Sequence, residues 1–209
     1  MKASERAATR REPKQQRSRQ TVDAVLDAVP RVLKRHGAAA ITTNRVAEAA
    51  GVSIGSLYQY FPEKQAIFMA LHDRHVDRVR HVMAGTLTQC TSVSLEEFTH
   101  ELVERLANVH AEDAELHELV SGAVPGGANG FKSALQAVFE QVILPTKQDR
   151  YTAEEAKRML FVLPPMVEAL VHGVAHEQQA IARERAKDEA IRTVAVYLNS
   201  FQSGRPSRY

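Results

Sequence analysis

Apolar residues recur along this 209-residue chain at the three- and four-residue spacing of helices that bury one face. The pattern predicts an all-α protein of about nine helices. The first runs from about Ser18 to His36, with Val22, Val25, Leu26, Val29, Val32 and Leu33 as its stripe and Gly37 at its end. Pro30 removes a hydrogen bond inside this helix and is expected to bend or interrupt it. A helix over about Pro62–Met83 carries Phe68, Leu71, His75, Val79 and Val82 on one face, and residues 84–93 read as a loop. Ser94 and Glu97 form a capping box ahead of Leu95, Phe98, Leu102, Leu106 and Val109. A short helix near Ala114–Val120, a Gly-rich loop over Pro125–Gly130 and a helix from Phe131 to about Pro145 follow. Residues 146–152 form a polar connection. Two long helices, about Ala153–Gln179 and Arg185–Phe201, close the chain, and Pro164-Pro165 is expected to break or bend the first.

The densest local signals lie at 41–64, ITTNRVAEAAGVSIGSLYQYFPEK. Thr42 stands where a helix N-cap belongs, and Val46, Ala47 and Ala50 share a face. Gly51 supplies the residue past the helix end, where positive φ costs least. Val52 fills the corner, and Ser53 can cap a second helix from Ile54 to about Tyr60. Two short helices around a tight turn with a glycine make a helix-turn-helix. Leu57 points into the core, leaving Gly55, Ser56, Gln59 and Tyr60 outward on a helix short enough for a DNA major groove. Gln59 can pair with adenine, Ser56 with either base type, and Gly55 lets the backbone come close. Tyr58 and Tyr60 offer hydroxyls to phosphates, and Lys64 offers a cation.

The run Thr42-Thr43, Val46-Ala47, Ala50-Gly51-Val52-Ser53, Gly55, Leu57-Tyr58, Tyr60-Phe61 and Lys64 closely resembles the TetR family of bacterial transcriptional regulators. The likeness covers about residues 17–75, and Pro30 departs from it. It implies a homodimer with an N-terminal DNA-binding domain and a C-terminal domain for a small effector. By position, the DNA contacts it implies are Thr43, Asn44, Gly55, Ser56, Tyr58, Gln59, Tyr60 and Lys64. It also implies that the last two helices pair with their twins, and that the helix over Pro62–Met83 is the lever between ligand and DNA. The expected organisation is a disordered basic arm (1–16), a helix-turn-helix domain (17–64), a ligand-binding and dimerisation domain (65–203) and a tail (204–209).

Charge agrees with that organisation. The formal net charge of +2 conceals an asymmetry: residues 1–64 hold 12 Lys or Arg against 6 Asp or Glu, and residues 65–209 hold 15 against 19. A basic N-terminal third points to nucleic acid at one end only. One cysteine, Cys90, permits no intramolecular disulfide and fits a reducing cytoplasm. The N-terminus lacks the apolar stretch of a signal peptide. The most apolar run, Met159–Val167, is too short for a membrane span.

Other chemistry finds little footing. GGANGFKS (126–133) lacks the Gly-Lys-Ser/Thr ending of a phosphate loop. His172 and His176 share a helix face, His72, His75 and His81 form a loose set, and His110 with His117 another. No cysteine or carboxylate pair completes a metal site, and none is assigned. No catalytic constellation is found, so the chain is read as no enzyme, with no cofactor. An effector pocket lined by Phe98, Leu102, Phe139, Phe161, Met166 and His172 is expected in the C-terminal domain. The leading reading is a ligand-responsive, sequence-specific regulator, most simply a repressor, with an operator duplex, an effector of unknown identity and a second copy as partners. Its rival is a helical small-molecule binder or enzyme that reads no DNA.

Overall fold

A computed structural model of the chain describes residues 12–90, 93–112, 114–123, 128–146, 151–177 and 179–201. The described residues form nine α-helices and one 3-10 turn: α1 (Glu12–His36), the turn (Ala38–Ala40), α2 (Thr43–Ala50), α3 (Ile54–Tyr58), α4 (Lys64–Gln89), α5 (Leu95–Glu112), α6 (Ala114–Ala123), α7 (Ala128–Thr146), α8 (Ala153–His176) and α9 (Ala180–Asn199). They fall into two compact units, Met1–Asp73 with Glu118–Pro125, and Arg74–His117 with Gly126–Tyr209.

The first unit packs α2 and α3 on the stripe of α1. Val25, Ala28, Val29, Val46 and Leu57 are completely buried, joined by Ile41, Phe61 and the first apolar residues of α4, Ile67, Phe68 and Leu71. Helix α1 begins at Glu12 rather than near Ser18. Pro13 suits a first turn, where its missing N–H is no loss, and the Lys, Gln and Arg that follow favour helix without adding to an apolar stripe. Residues 12–16, expected in a disordered arm, are therefore helical. Residues 1–11 and 202–209, which hold the rest of that arm and the tail, lie outside the described residues.

Pro30 does not interrupt α1. A proline inside a helix costs about 3 kcal/mol. Fully burying one Val or Leu returns about 1.5–3 kcal/mol, and Val25, Leu26, Val29, Val32 and Leu33 are all buried around it.

The second unit has its own core, built from α5, α7, α8, α9 and the later part of α4. Phe98, Leu102, Leu106, Leu135, Phe139, Ile143, Met159, Leu163 and Val167 lie at its centre, with Phe98 and Phe139 edge to face at 6.5 Å. Helix α4 runs on to Gln89, through residues expected to be a loop. The small polar run AGTLTQ stays helical because Thr86 and Thr88 return their hydroxyls to the carbonyls of Val82 and Ala84. Thr86 is itself completely buried. The capping box before α5 forms, with Glu97 N–H donating to Ser94 Oγ at 3.1 Å and Ser94 N–H to Glu97 Oε2 at 2.8 Å. A second capping box, Thr152 with Glu155, starts α8 in a stretch read only as a polar connection. Helix α7 starts at Ala128, inside the expected glycine loop.

Helix α8 is also unbroken, despite Pro164-Pro165. Met159, Leu163, Pro164, Val167 and Val171 anchor it on both sides of the pair, so tertiary packing outweighs the missing bonds. By length and composition α8 is the one described helix that could cross a membrane, whereas the apolar run Met159–Val167 alone was too short. Eight of its residues are nevertheless buried among its neighbours.

Candidate functional site

The first unit holds the turn in place by local rules. Thr42 has extended backbone and its hydroxyl accepts from Arg45 N–H at 3.3 Å, which caps α2. Gly51 closes α2 in the left-handed region, at φ 68°. Its N–H reaches Glu48 O, and Val52 N–H reaches Ala47 O at 3.0 Å, the paired bonds of a Schellman motif. Ser53 then caps α3, accepting from Ser56 N–H at 3.0 Å. From α1, Arg31 donates to Ala49 O at 2.9 Å and satisfies a carbonyl at the end of α2.

Helix α3 ends at Tyr58, two residues earlier than expected, and Gln59 and Tyr60 follow in a turn. Leu57 is completely buried, while Gly55, Tyr58, Gln59 and Tyr60 are exposed and Ser56 is half-buried. The Ser56 hydroxyl meets Ser53 Oγ at 2.8 Å. Tyr58 Oη lies 3.2 Å from Thr43 Oγ1, tying α3 to the start of α2. Tyr60 Oη donates to Ser18 Oγ at 3.1 Å. These hydroxyls are thus positioned from both sides, and each keeps a lone pair for a further donor. Asn44 is exposed on α2, and Lys64 is exposed with its ammonium 5.5 Å from the Phe68 ring centre.

The structure adds three cations that sequence reasoning passed over. Arg45 is exposed beside Asn44, and Arg17 and Arg19 are exposed on either side of Ser18, the partner of Tyr60. Only Arg45 carried a signal, as the neighbour of two motif positions. That Ser18 meets Tyr60 is a contact 42 residues apart, invisible to any local pattern.

The expected pocket residues divide. Phe98, Leu102 and Phe139 are buried together, and Met166 packs partly buried against the same core. Phe161 stands outside it, 82% exposed. With Arg158, Val162, Tyr197 and Phe201 it lines a groove of about 690 Å³ along α8 and α9. His172 belongs to neither place. Its ring lies 5.1 Å from those of His110 and His117 and 5.4 Å from Phe131. His75 joins the same cluster at 4.7 Å from both His110 and His117. Of the groupings expected from sequence, His110 with His117 does meet, with ring centres 5.1 Å apart, and His75 and His172 join that pair. The histidines that meet come one each from α4, α5, α6 and α8, because convergence of separate helices brings them together rather than spacing along one. His110 is 1% exposed, and its pKa is pushed down to about 3, first by burial and also by the three neighbouring imidazoles. Burial likewise lowers that of His172.

Two short helices across the three-residue turn Gly51–Ser53, the second burying one leucine and turning polar groups outward, define a helix-turn-helix DNA-binding protein. Residues 25–71 match the family model described as "Bacterial regulatory proteins, tetR family". The family likeness thus lies in the N-terminal unit, over the helix-turn-helix and the start of α4. Among curated proteins, nucleoid occlusion factor SlmA of Actinobacillus pleuropneumoniae serotype 5b (strain L20) is 44% identical over 45 residues. That alignment spans 22% of this chain and only 20% of SlmA. A TetR-family transcriptional regulator from Streptomyces coelicolor shares the fold with a TM-score of 0.62 at 20% identity, over 87% of this chain and 99% of that one. The TetR-like regulator LfrR from Mycobacterium smegmatis, solved in complex with proflavine, does so at 0.54 and 21%, over 91% and 98%.

Proposed function

We propose that the protein is a dimeric, sequence-specific transcriptional repressor of the cytoplasm, released from its operator by a small molecule on which it performs no chemistry. The observation that carries this is the outward face of α3 and the turn after it, where Gly55, Tyr58 and Gln59 are exposed around a buried Leu57. Thr43, Asn44, Gly55, Ser56, Tyr58, Gln59, Tyr60 and Lys64 meet the duplex, with Gln59 reading a base edge and the tyrosines and Lys64 holding phosphates.

The partner copy docks on α8 and α9. Phe161, Ile181 and Val196 are 82%, 74% and 64% exposed there, far more apolar surface than two long helices of a lone subunit leave bare. The effector sits in the second unit, near Phe98, Leu102, Phe139, Met166 and His172. LfrR, with its bound proflavine, supports a small organic ligand in this fold. Helix α4 runs from one unit into the other and carries the change. A ligand shifts the dimer only through unequal affinity for its two states.

The test compares a duplex selected from random sequences with a scrambled one at a single fixed salt concentration, for wild type and Gln59→Ala. Wild type should prefer the selected duplex, and the variant should lose about 1–3 kcal/mol of preference at one base pair. Equal affinity of wild type for both duplexes refutes sequence reading, since phosphate contacts alone give non-specific binding.

A further inference from the structure

Four imidazoles converge inside the second unit, and three of them are arranged as ligands. One ring nitrogen from each of His75, His110 and His117 lies within 4.8 Å of the other two. They come from α4, α5 and α6, so three separate helices hold the nitrogens in place. His172 of α8 closes the cluster, in ring contact with His110 and His117. We propose that His75, His110 and His117 form a binding site for a divalent transition metal of the imidazole-preferring class, Zn(II), Co(II), Ni(II) or Cu(II), with His172 beside its open coordination position.

Three features favour this over plain packing. His110 Nδ1 lies 2.8 Å from Leu106 O, and a carbonyl can only accept. Nδ1 therefore carries the proton and Nε2 presents its lone pair. This is the outer hydrogen bond that fixes tautomer and ring angle in metal-ligating histidines.

The second feature is cost. An imidazole keeps polar ring nitrogens, so bringing four of them into ring contact costs more desolvation than apolar side chains would. Leucine or phenylalanine would fill the space without that cost, as Phe131 does 5.2 Å from His110. Several imidazoles facing one another are better explained by a shared guest.

The third is donor type. The group is made of imidazoles, which suit zinc, cobalt, nickel and copper, whereas calcium and magnesium require oxygen ligands. Tetrahedral zinc at 2.0–2.1 Å sets nitrogens about 3.4 Å apart, so the rings must draw inward by small side-chain rotations. His75 and His117 are half-buried and have the freedom to do so.

The test uses the full-length protein, stripped with a chelator and dialysed, without DNA, so that its outcome is independent of operator reading. Zn(II) is titrated by calorimetry, and Co(II) by its visible absorption. We expect one ion per chain and a rise in melting temperature. His75→Ala and His117→Ala should each weaken binding by more than the roughly 10–100-fold that outer-shell changes cost. His110→Ala is avoided because the residue is deeply buried. His100→Ala is the control, since His100 pairs with Glu104 on the surface of α5 at 3.7 Å and could take an ion weakly. Absence of binding by wild type overturns the proposal. So does binding that survives both His75→Ala and His117→Ala, or that falls equally in His100→Ala. Folded far-ultraviolet dichroism of the metal-free variants shows that lost binding is not lost structure.

Discussion

Gly55 separates the two roles of α3, holding its shape and meeting DNA, in one substitution. It is the second residue of α3, exposed, with φ outside the left-handed region. A Cβ built there meets only Ser53 Oγ, at 4.0 Å, an ordinary contact. Nothing in the free protein therefore resists Gly55→Ala. Alanine also loses less backbone entropy on folding, by about 0.5–1 kcal/mol in a helix interior and less in a first turn. The free protein should gain roughly 0.5 kcal/mol, read as a higher urea midpoint at unchanged slope. On DNA the sign reverses. A methyl forced into a close-packed contact costs about 1–3 kcal/mol. At 1.4 kcal/mol per tenfold, that is roughly 5- to 150-fold in Kd. Fluorescence anisotropy at one salt concentration reads it, and the salt slope should not change because no phosphate contact is removed. A variant that is more stable yet binds the selected duplex as tightly as wild type would show that Gly55 does not face DNA.

Gly51→Ala should behave oppositely. Nothing lies within 4 Å of the added Cβ, but φ of 68° is left-handed, so the variant should lose about 1–2 kcal/mol of stability on that ground alone. An unchanged urea midpoint would contradict the strained geometry. Phe161→Asp should leave the subunit folded and abolish the dimer: one buried phenylalanine is worth about 1.5–3 kcal/mol, a two-fold interface loses it twice, and the dimer Kd rises on the order of 100-fold or more. Sedimentation equilibrium checks this, and an intact dimer would remove α8 from the interface. Glu97 carries a pH signature. Its carboxylate accepts from Ser94, chiefly from the backbone N–H and then the hydroxyl, and is held below its ordinary pKa of 4.5. A depressed acid contributes stability above that ordinary value and loses it as pH falls below it. Glu97→Gln should thus flatten the acid limb of the stability curve, and an identical limb in both proteins would discount the capping box.

The turn was legible because its determinants are local. Thr42, Gly51 and Ser53 act on backbone groups three or four residues away, and sequence spacing displays that reach. Leu57 was assigned inward by the same periodicity. What failed was competition between local and tertiary terms. Pro30 and Pro164-Pro165 break helices in isolation, yet buried residues on both sides carry α1 and α8 through. The end of α4 was misplaced because AGTLTQ has loop composition, whereas threonine back-bonding and the burial of Thr86 make it helix. Among pocket residues, Phe161 and Phe139 look alike in sequence, and only packing separates an 82% exposed ring from a buried one. The full histidine cluster was hidden for a different reason: sequence paired His110 with His117, but spacing along one helix could not show that His75 and His172 reach them from two further helices.

The N-terminal unit is not one uninterrupted stretch. It closes only when Glu118–Pro125 comes back to it, and Gln65 donates its side-chain amide to Ala123 O inside that returning segment. Cutting the backbone once after Asp73 would strand a fragment missing part of its own fold. A DNA reader borrowed for a chimaera must carry that second piece along, stitched in by a linker. Exchanging the two units by simple fusion should for the same reason give poorly folded hybrids.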